Sequence, residues 1–124
     1  MSRVSYSAVL GGVLANIRKD REIEQGEMAK RMGISQASYS RLEGGKATFS
    51  VDQLYLAANV LGLTGSDIIG ELDRSVEHLN QAGLEVISPA RKNSTKAQDQ
   101  KGEVGTVIAG AALAGLLFHL LNKK

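Results

Sequence analysis

The chain has 124 residues, no cysteine and a formal net charge of +2 at pH 7. This length suits one ordinary domain with an appendage. The lack of cysteine excludes disulfides, thiolate metal sites and cysteine nucleophiles, and nothing requires an oxidising compartment. Only 4% of the residues are aromatic, against 43% hydrophobic, so the core must be aliphatic. The first fourteen residues hold one arginine and no long apolar run, so we expect no secretory signal and a cytoplasmic protein.

The charges are segregated along the chain. Residues 1–46 carry a net charge of +3, residues 47–83 carry −4, and residues 84–124 carry +3. This pattern predicts a basic face, an acidic region turned away from it, and a mildly basic tail.

The first predicted helix covers residues 4–20. Its apolar side chains recur at helical spacing, at Val9, Val13 and Ile17. Two adjacent glycines, Gly11 and Gly12, weaken the prediction, because each glycine inside a helix costs about 1 kcal/mol relative to alanine.

Two shorter helices follow. One fits residues 25–32 and ends at Gly33, which can take the left-handed conformation common after a helix. The other fits residues 35–43, with Ser35 as its N-cap, and stops at a pair of glycines.

A fourth helix begins at a capping box formed by Ser50 and Gln53, and closes at Gly62. A fifth opens near Ser66 and runs to about Ala82. Its apolar residues form a short seam of coiled-coil spacing, made of Ile69, Leu72, Val76 and Leu79. The seam suits two alternatives equally: contacts in a dimer, or packing onto its own domain.

The rest of the chain changes character. Residues 84–88 alternate apolar and polar and fit a short strand, whereas residues 89–103 are polar and are predicted to be a linker. Residues 104–121 carry no formal charge. We therefore expect a domain over residues 1–83, a linker over 84–103 and a C-terminal apolar helix over 104–124.

The apolar tail leaves three alternatives open. A helix over residues 104–121 would span about 27 Å, close to the bilayer core of about 30 Å, and its small residues at four-residue spacing suit membrane helix pairs. The protein would then associate with the inner membrane. The same residues equally suit a self-association helix in water, or a helix folded back on the first domain.

Residues 25–45, QGEMAKRMGISQASYSRLEGG, carry the most specific pattern in the chain. They resemble the helix-turn-helix of the phage repressor/Cro superfamily, also called the XRE family. The matching positions are Gln25, Ala29, Gly33, Ile34, Gln36, Tyr39, Leu42 and the ending Glu43-Gly44-Gly45-Lys46. The resemblance covers roughly residues 8–69. It implies an all-α fold: a five-helix repressor-like DNA-binding domain, here followed by a polar linker and a C-terminal apolar Gly/Ala/Leu-rich helix.

The resemblance also implies which residues meet DNA. In this family the second helix of the motif enters the major groove. The side chains expected to face base edges are Gln36, Ala37, Ser38 and Arg41. Glutamine can form hydrogen bonds with adenine, and arginine can form them with guanine. Alanine can contact the methyl group of thymine, and serine can donate or accept a hydrogen bond. Those expected to flank them or contact phosphates are Gln25, Ser35, Lys46, Arg18 and Lys19.

The function expected from these residues is a sequence-specific transcriptional regulator that binds double-stranded DNA, in the manner of a repressor. We expect a dimer or higher homo-oligomer, because a monomer with about four to six phosphate contacts binds weakly at physiological salt. A toxin or another regulator is a further conceivable partner. The alternative is a self-assembling or membrane-associated adaptor that uses the same fold for protein contacts.

Enzyme functions find no support in the sequence. It contains no nucleophile-elbow motif, phosphate-binding loop or dinucleotide glycine motif, so we expect no catalytic residues and no cofactor. Its two histidines, His78 and His119, lack nearby ligand spacing, so no metal site is expected.

Overall fold

The computed structural model describes residues 2–89 and 110–122. Helices dominate this part of the chain, as predicted. The elements in chain order are β1 (Arg3–Ser5), α1 (Tyr6–Asp20), α2 (Gln25–Met32), α3 (Gln36–Glu43), α4 (Val51–Leu61), α5 (Gly65–Gln81), β2 (Glu85–Ile87) and α6 (Gly110–Leu121).

Side-chain caps fix the starts of α1, α3, α4 and α5. Ser35 Oγ accepts a hydrogen bond from the backbone N–H of Ser38 at 3.0 Å, and the predicted capping box of Ser50 and Gln53 is present. Helix α5 begins earlier than expected, because Thr64 and Asp67 form a second capping box. Each cap satisfies N–H groups that the first turn leaves without a helical partner.

Helices α1 to α5 enclose an aliphatic core. Its largest fully buried side chains include Leu14, Met28, Tyr39 and Ile68. Tyr39 is the aromatic member of this core, and its hydroxyl needs a polar partner there.

A short parallel sheet joins the two ends of the domain. Strand β2 confirms the strand expected within residues 84–88, whereas β1 was not predicted. Arg3 lies opposite Glu85, and Val4 lies opposite Val86. Because β2 is fastened to β1, the packed unit extends beyond Gly83 into the first residues of the expected linker. Residues 90–109, which hold the rest of that linker and the start of the apolar stretch, lie outside the described residues.

Helix α6 folds back onto the domain, which is the third of the alternatives considered for the tail. Its Leu113, Ala114 and Leu117 are at most 3% exposed. They complete a second apolar cluster with Val9, Val13 and Leu79. The Asn16 amide also donates to the carbonyl oxygen of Ala114 at 3.0 Å. Burial of a leucine side chain of this kind contributes about 2 kcal/mol.

The seam of α5 faces the same cluster. Leu79 is fully buried, and Leu72 and Val76 pack against the cluster, whereas Ile69 remains 41% exposed. Three of the four seam residues therefore pack within the domain.

Within residues 2–89 and 110–122, no helix combines the length and the apolar character needed to cross a bilayer, and α6 has twelve residues.

Candidate nucleic-acid interface

Helix α3 has one solvent-exposed face and one buried face. Gln36, Ala37, Ser38 and Arg41 are all exposed. On the opposite side, Tyr39 is fully buried and Leu42 is 2% exposed. The buried face therefore anchors the helix while the polar face stays open to a ligand.

A tight turn sets α3 against α2. Gly33 ends α2 with φ of 80°, a left-handed conformation that favours glycine. The following N–H, that of Ile34, donates to the carbonyl oxygen of Ala29 at 3.0 Å. This bond closes the end of α2, and the chain turns before Ser35 starts α3.

The beginnings of α2 and α3 lie side by side. A Cβ added at Gly26 would lie 3.3 Å from Gln36 Oε1, so the Gln36 side chain passes over the first turn of α2. The N–H groups of that turn are suited to an anion. The exposed side chains of α3 and the start of α2 thus form one continuous surface.

A buried polar network connects the inner side of α3 to α1 and α2. Arg18 Nε donates to Glu43 Oε2 at 2.6 Å, and Arg18 Nη2 donates to Glu43 Oε1 at 3.1 Å. The Tyr39 hydroxyl donates to Glu43 Oε2 at 2.6 Å, and Gln25 Nε2 donates to Glu43 Oε1 at 2.8 Å. One carboxylate therefore ties α1, α2 and α3 together.

The network perturbs the ionisation of its members. Burial alone would raise the pKa of Glu43, but hydrogen bonds from Arg18, Tyr39 and Gln25 outweigh it, and the pKa of Glu43 lies below its ordinary value. The hydrogen bond to Glu43 raises the pKa of Arg18. Burial, reinforced by the charge on Glu43, raises the pKa of Tyr39. The pair is therefore charged in the folded state, and the phenol is neutral.

Comparisons with known proteins agree with this geometry. A family model described as helix-turn-helix matches residues 14–68. The matched residues include α2, α3 and α4, the same segment that resembles the phage repressor/Cro (XRE) helix-turn-helix.

A solved structure has a similar fold. It is the crystal structure of the clp gene regulator ClgR from Corynebacterium glutamicum, which aligns with a TM-score of 0.53 at 23% sequence identity. The alignment covers 62% of this chain and 86% of that one. None of the curated proteins compared with the chain matches it.

The helix-turn-helix domain places the expected phosphate-contacting residues in different settings. Lys19 and Lys46 are exposed, and the Lys46 N–H donates to the carbonyl oxygen of Arg41 at 2.8 Å, which fixes the loop after α3. Gln25 is half-buried, with its amide engaged by Glu43.

Arg18 requires a correction. We expected it to contact phosphate, but it is only 6% exposed, with its guanidinium occupied by Glu43 and by the carbonyl oxygen of Ile23. A cation paired in this way is not available to DNA. Its role in the helix-turn-helix domain is to position α3.

Sequence reasoning missed Glu43 as the centre of the network. It was identified only as the first residue of the family's ending, Glu43-Gly44-Gly45-Lys46. A signal was present, because Glu43 lies four residues after Tyr39 and therefore on the same buried side of the helix. A carboxylate in that position requires a cationic or hydrogen-bonding partner.

Proposed function

We propose that this chain is a sequence-specific transcriptional regulator that binds double-stranded DNA through α3 and acts as a repressor by occupying an operator. Gln36, Ala37, Ser38 and Arg41 read base edges, while Lys19, Lys46 and the start of α2 contact phosphates. The family of the helix-turn-helix domain supports this function, as does the ClgR neighbour, which is itself a gene regulator.

The observation that carries the proposal is the contrast between the two faces of α3. Its outer face presents donors and acceptors without apolar side chains larger than alanine. Its inner face is held by the core and by the Arg18–Glu43 pair. Direct readout needs such a helix, because side chains discriminate bases only when the backbone that carries them is held in place.

The charge distribution supports binding by more than one copy. The domain has few exposed cations near α3, so a single copy makes few phosphate contacts and binds weakly at physiological salt. Two copies on adjacent half-sites would add their contacts. We therefore propose that the protein binds DNA as a dimer or higher oligomer. Analytical ultracentrifugation of the complex on duplexes of different length would measure how many protein copies bind each duplex.

Selection from a random duplex pool tests the function. The full-length chain should enrich a defined sequence, and its affinity for that duplex should fall linearly with salt on a double-logarithmic plot. Fluorescence anisotropy at 50, 100 and 200 mM KCl measures this slope. Absence of both enrichment and low-salt binding would reject the proposal in favour of a protein-binding role.

A control separates readout from folding. Asn80→Ala with Gln81→Ala removes two exposed amides at the end of α5. This variant should bind the selected duplex like the wild type. If it weakened binding as strongly as changes on α3, the interface would not be α3.

A further inference from the structure

A second concave surface lies beside the loop that follows α3. We call it the loop groove and define it by Ser5, Tyr6, Ser7, Lys46, Thr48 and Ser88. Its volume is about 490 Å³. None of the expected DNA-contacting residues apart from Lys46 belongs to it.

The fold builds this groove from three distant segments. Ser7 Oγ accepts a hydrogen bond from the Phe49 N–H at 2.9 Å, which fastens the start of α1 to the loop. The pairing of Ser5 with Ile87 brings Ser88 to the same place. The loop is in turn fixed to α3, because the N–H groups of Lys46 and Ala47 both donate to the carbonyl oxygen of Arg41. The groove therefore keeps a fixed position relative to the exposed face of α3.

The lining of the groove is cationic and rich in hydroxyl groups. The described residues that line it include one lysine and five hydroxyl side chains and no carboxylate. Other grooves differ. The groove between α1, α5 and α6 has three carboxylates and two arginines, and the one at the start of α2 has two carboxylates and two cations. The loop groove is thus better suited to an anion than either of them.

The hydrogen-bonding pattern narrows the ligand further. Ser5 Oγ and Ser7 Oγ already accept from the backbone N–H groups of Ala8 and Phe49, so each retains its O–H as a donor. The lysine ammonium has donors only. The groove therefore offers several hydroxyl donors and one positive charge without any carboxylate, which fits an anionic ligand that accepts hydrogen bonds. A phosphodiester has this character.

We propose that the loop groove binds a backbone phosphate of the same duplex whose bases α3 reads. Lys46 supplies the charge, and Tyr6, Thr48 and Ser88 donate hydrogen bonds. This inference rests on the proposed function. It adds the start of α1 and the end of β2 to the DNA interface, so that the interface extends beyond the helix-turn-helix motif itself.

The test compares conservative variants on the duplex selected with wild-type protein. Tyr6→Phe combined with Thr48→Val removes two hydroxyls with little change of shape, and should raise Kd about tenfold on the selected duplex and on a scrambled one alike. The slope of log K against log salt should stay unchanged, since no charge is lost. Lys46→Gln should instead reduce that slope by about 1 per bound protomer.

A matched control is available in Tyr55, which is 54% exposed on α4 against 43% for Tyr6. Tyr55→Phe should leave Kd within about twofold of wild type, because Tyr55 lies outside the proposed interface and the change keeps its ring. Single phosphates of the duplex can also be replaced by neutral methylphosphonates. At one position, this replacement should lower the affinity of the wild type. The same replacement should not further lower the already reduced affinity of the Tyr6 and Thr48 double variant.

The outcomes are distinguishable. If wild type binds the selected duplex but the double variant binds equally well, or if Tyr55→Phe weakens binding just as much, the loop groove is not a phosphate site and the proposed function stands. If wild type binds no duplex, both proposals fall.

Discussion

Gly11 and Gly12 are adjacent on α1, but each lies against a different helix. A Cβ at Gly11 would lie 2.6 Å from the carbonyl oxygens of Leu42 and Glu43 at the end of α3. A Cβ at Gly12 would lie 2.9 Å from Leu117 Cδ1 of α6. Helix α1 is therefore packed between α3 and the C-terminal helix α6, and these two glycines permit both close approaches.

Gly11→Ala should destabilise the domain. The new methyl group would overlap backbone atoms of α3, and overpacking of this kind costs about 1–3 kcal/mol, which outweighs the better helix propensity of alanine. Urea unfolding followed by circular dichroism measures the change in the free energy of unfolding.

Gly70→Ala is the matched control for this substitution. Gly70 lies within α5, and nothing lies within 4 Å of the position its Cβ would take. The change should stabilise the protein by about 0.5–1 kcal/mol through helix propensity alone. If both variants shifted the midpoint in the same direction, the close approach at Gly11 would not be the cause.

Leu117→Ala should weaken the docking of α6. Leu117 is fully buried, and truncating such a leucine costs about 2–5 kcal/mol, limited here by the total docking free energy of α6. Hydrogen exchange of α6 amides measures this directly, and their protection should fall. Phe118→Ala, at a residue 61% exposed, should change little; an equal loss in that variant would mean that α6 docks through another face.

Glu43→Gln should lower stability and alter its dependence on pH. Arg18 would keep a buried charge without its counter-ion, a change that costs about 3–5 kcal/mol. Because folding lowers the pKa of Glu43, its contribution is fully present above the unfolded-state pKa of about 4.3 and is lost as the pH falls towards the lower folded-state value.

Unfolding by urea between pH 2 and pH 7 checks this linkage. The wild type should lose stability over the acid part of this range, and Glu43→Gln should lack that component of the slope. Glu77→Gln, at an exposed position on α5, should retain it. An unchanged acid slope in Glu43→Gln would contradict the charged pair.

Ser75→Ala should raise stability. Ser75 is fully buried in α5, and its hydroxyl has no hydrogen-bond partner among the described residues. Removing an unsatisfied polar atom and gaining helix propensity should together add about 1 kcal/mol to the free energy of unfolding. Ser66→Ala, at an exposed site on the same helix, should shift the unfolding midpoint far less, and a loss of stability in Ser75→Ala would show that the hydroxyl is satisfied.

The local parts of this structure could be predicted from the sequence. The capping box at Ser50, the turn at Gly33 and the exposed positions of α3 depend on neighbours within a few residues. The inward orientation of Arg18 could not, because it depends on Glu43, 25 residues away.

The same distinction explains the remaining differences. The helix propensity of Gly11 and Gly12 disfavours α1, and their benefit comes from α3 and α6, which contact α1 only in the folded state. Strand β1 spans three residues, too few to show a period. The position of α6 depends on apolar side chains of α1 and α5 that come together only in the folded domain.

We propose that the outer face of α3 reads DNA sequence, and one ratio tests this proposal most directly. This is the affinity for the selected duplex divided by that for a scrambled duplex of equal length, measured for wild type and for Gln36→Ala with Ser38→Ala. The double variant should lose at least about tenfold in this ratio, since one good base contact provides about 1–3 kcal/mol of discrimination, while its affinity for scrambled DNA and its thermal stability stay close to wild type. An unchanged ratio in a folded double variant would contradict the assignment of α3 as the recognition helix.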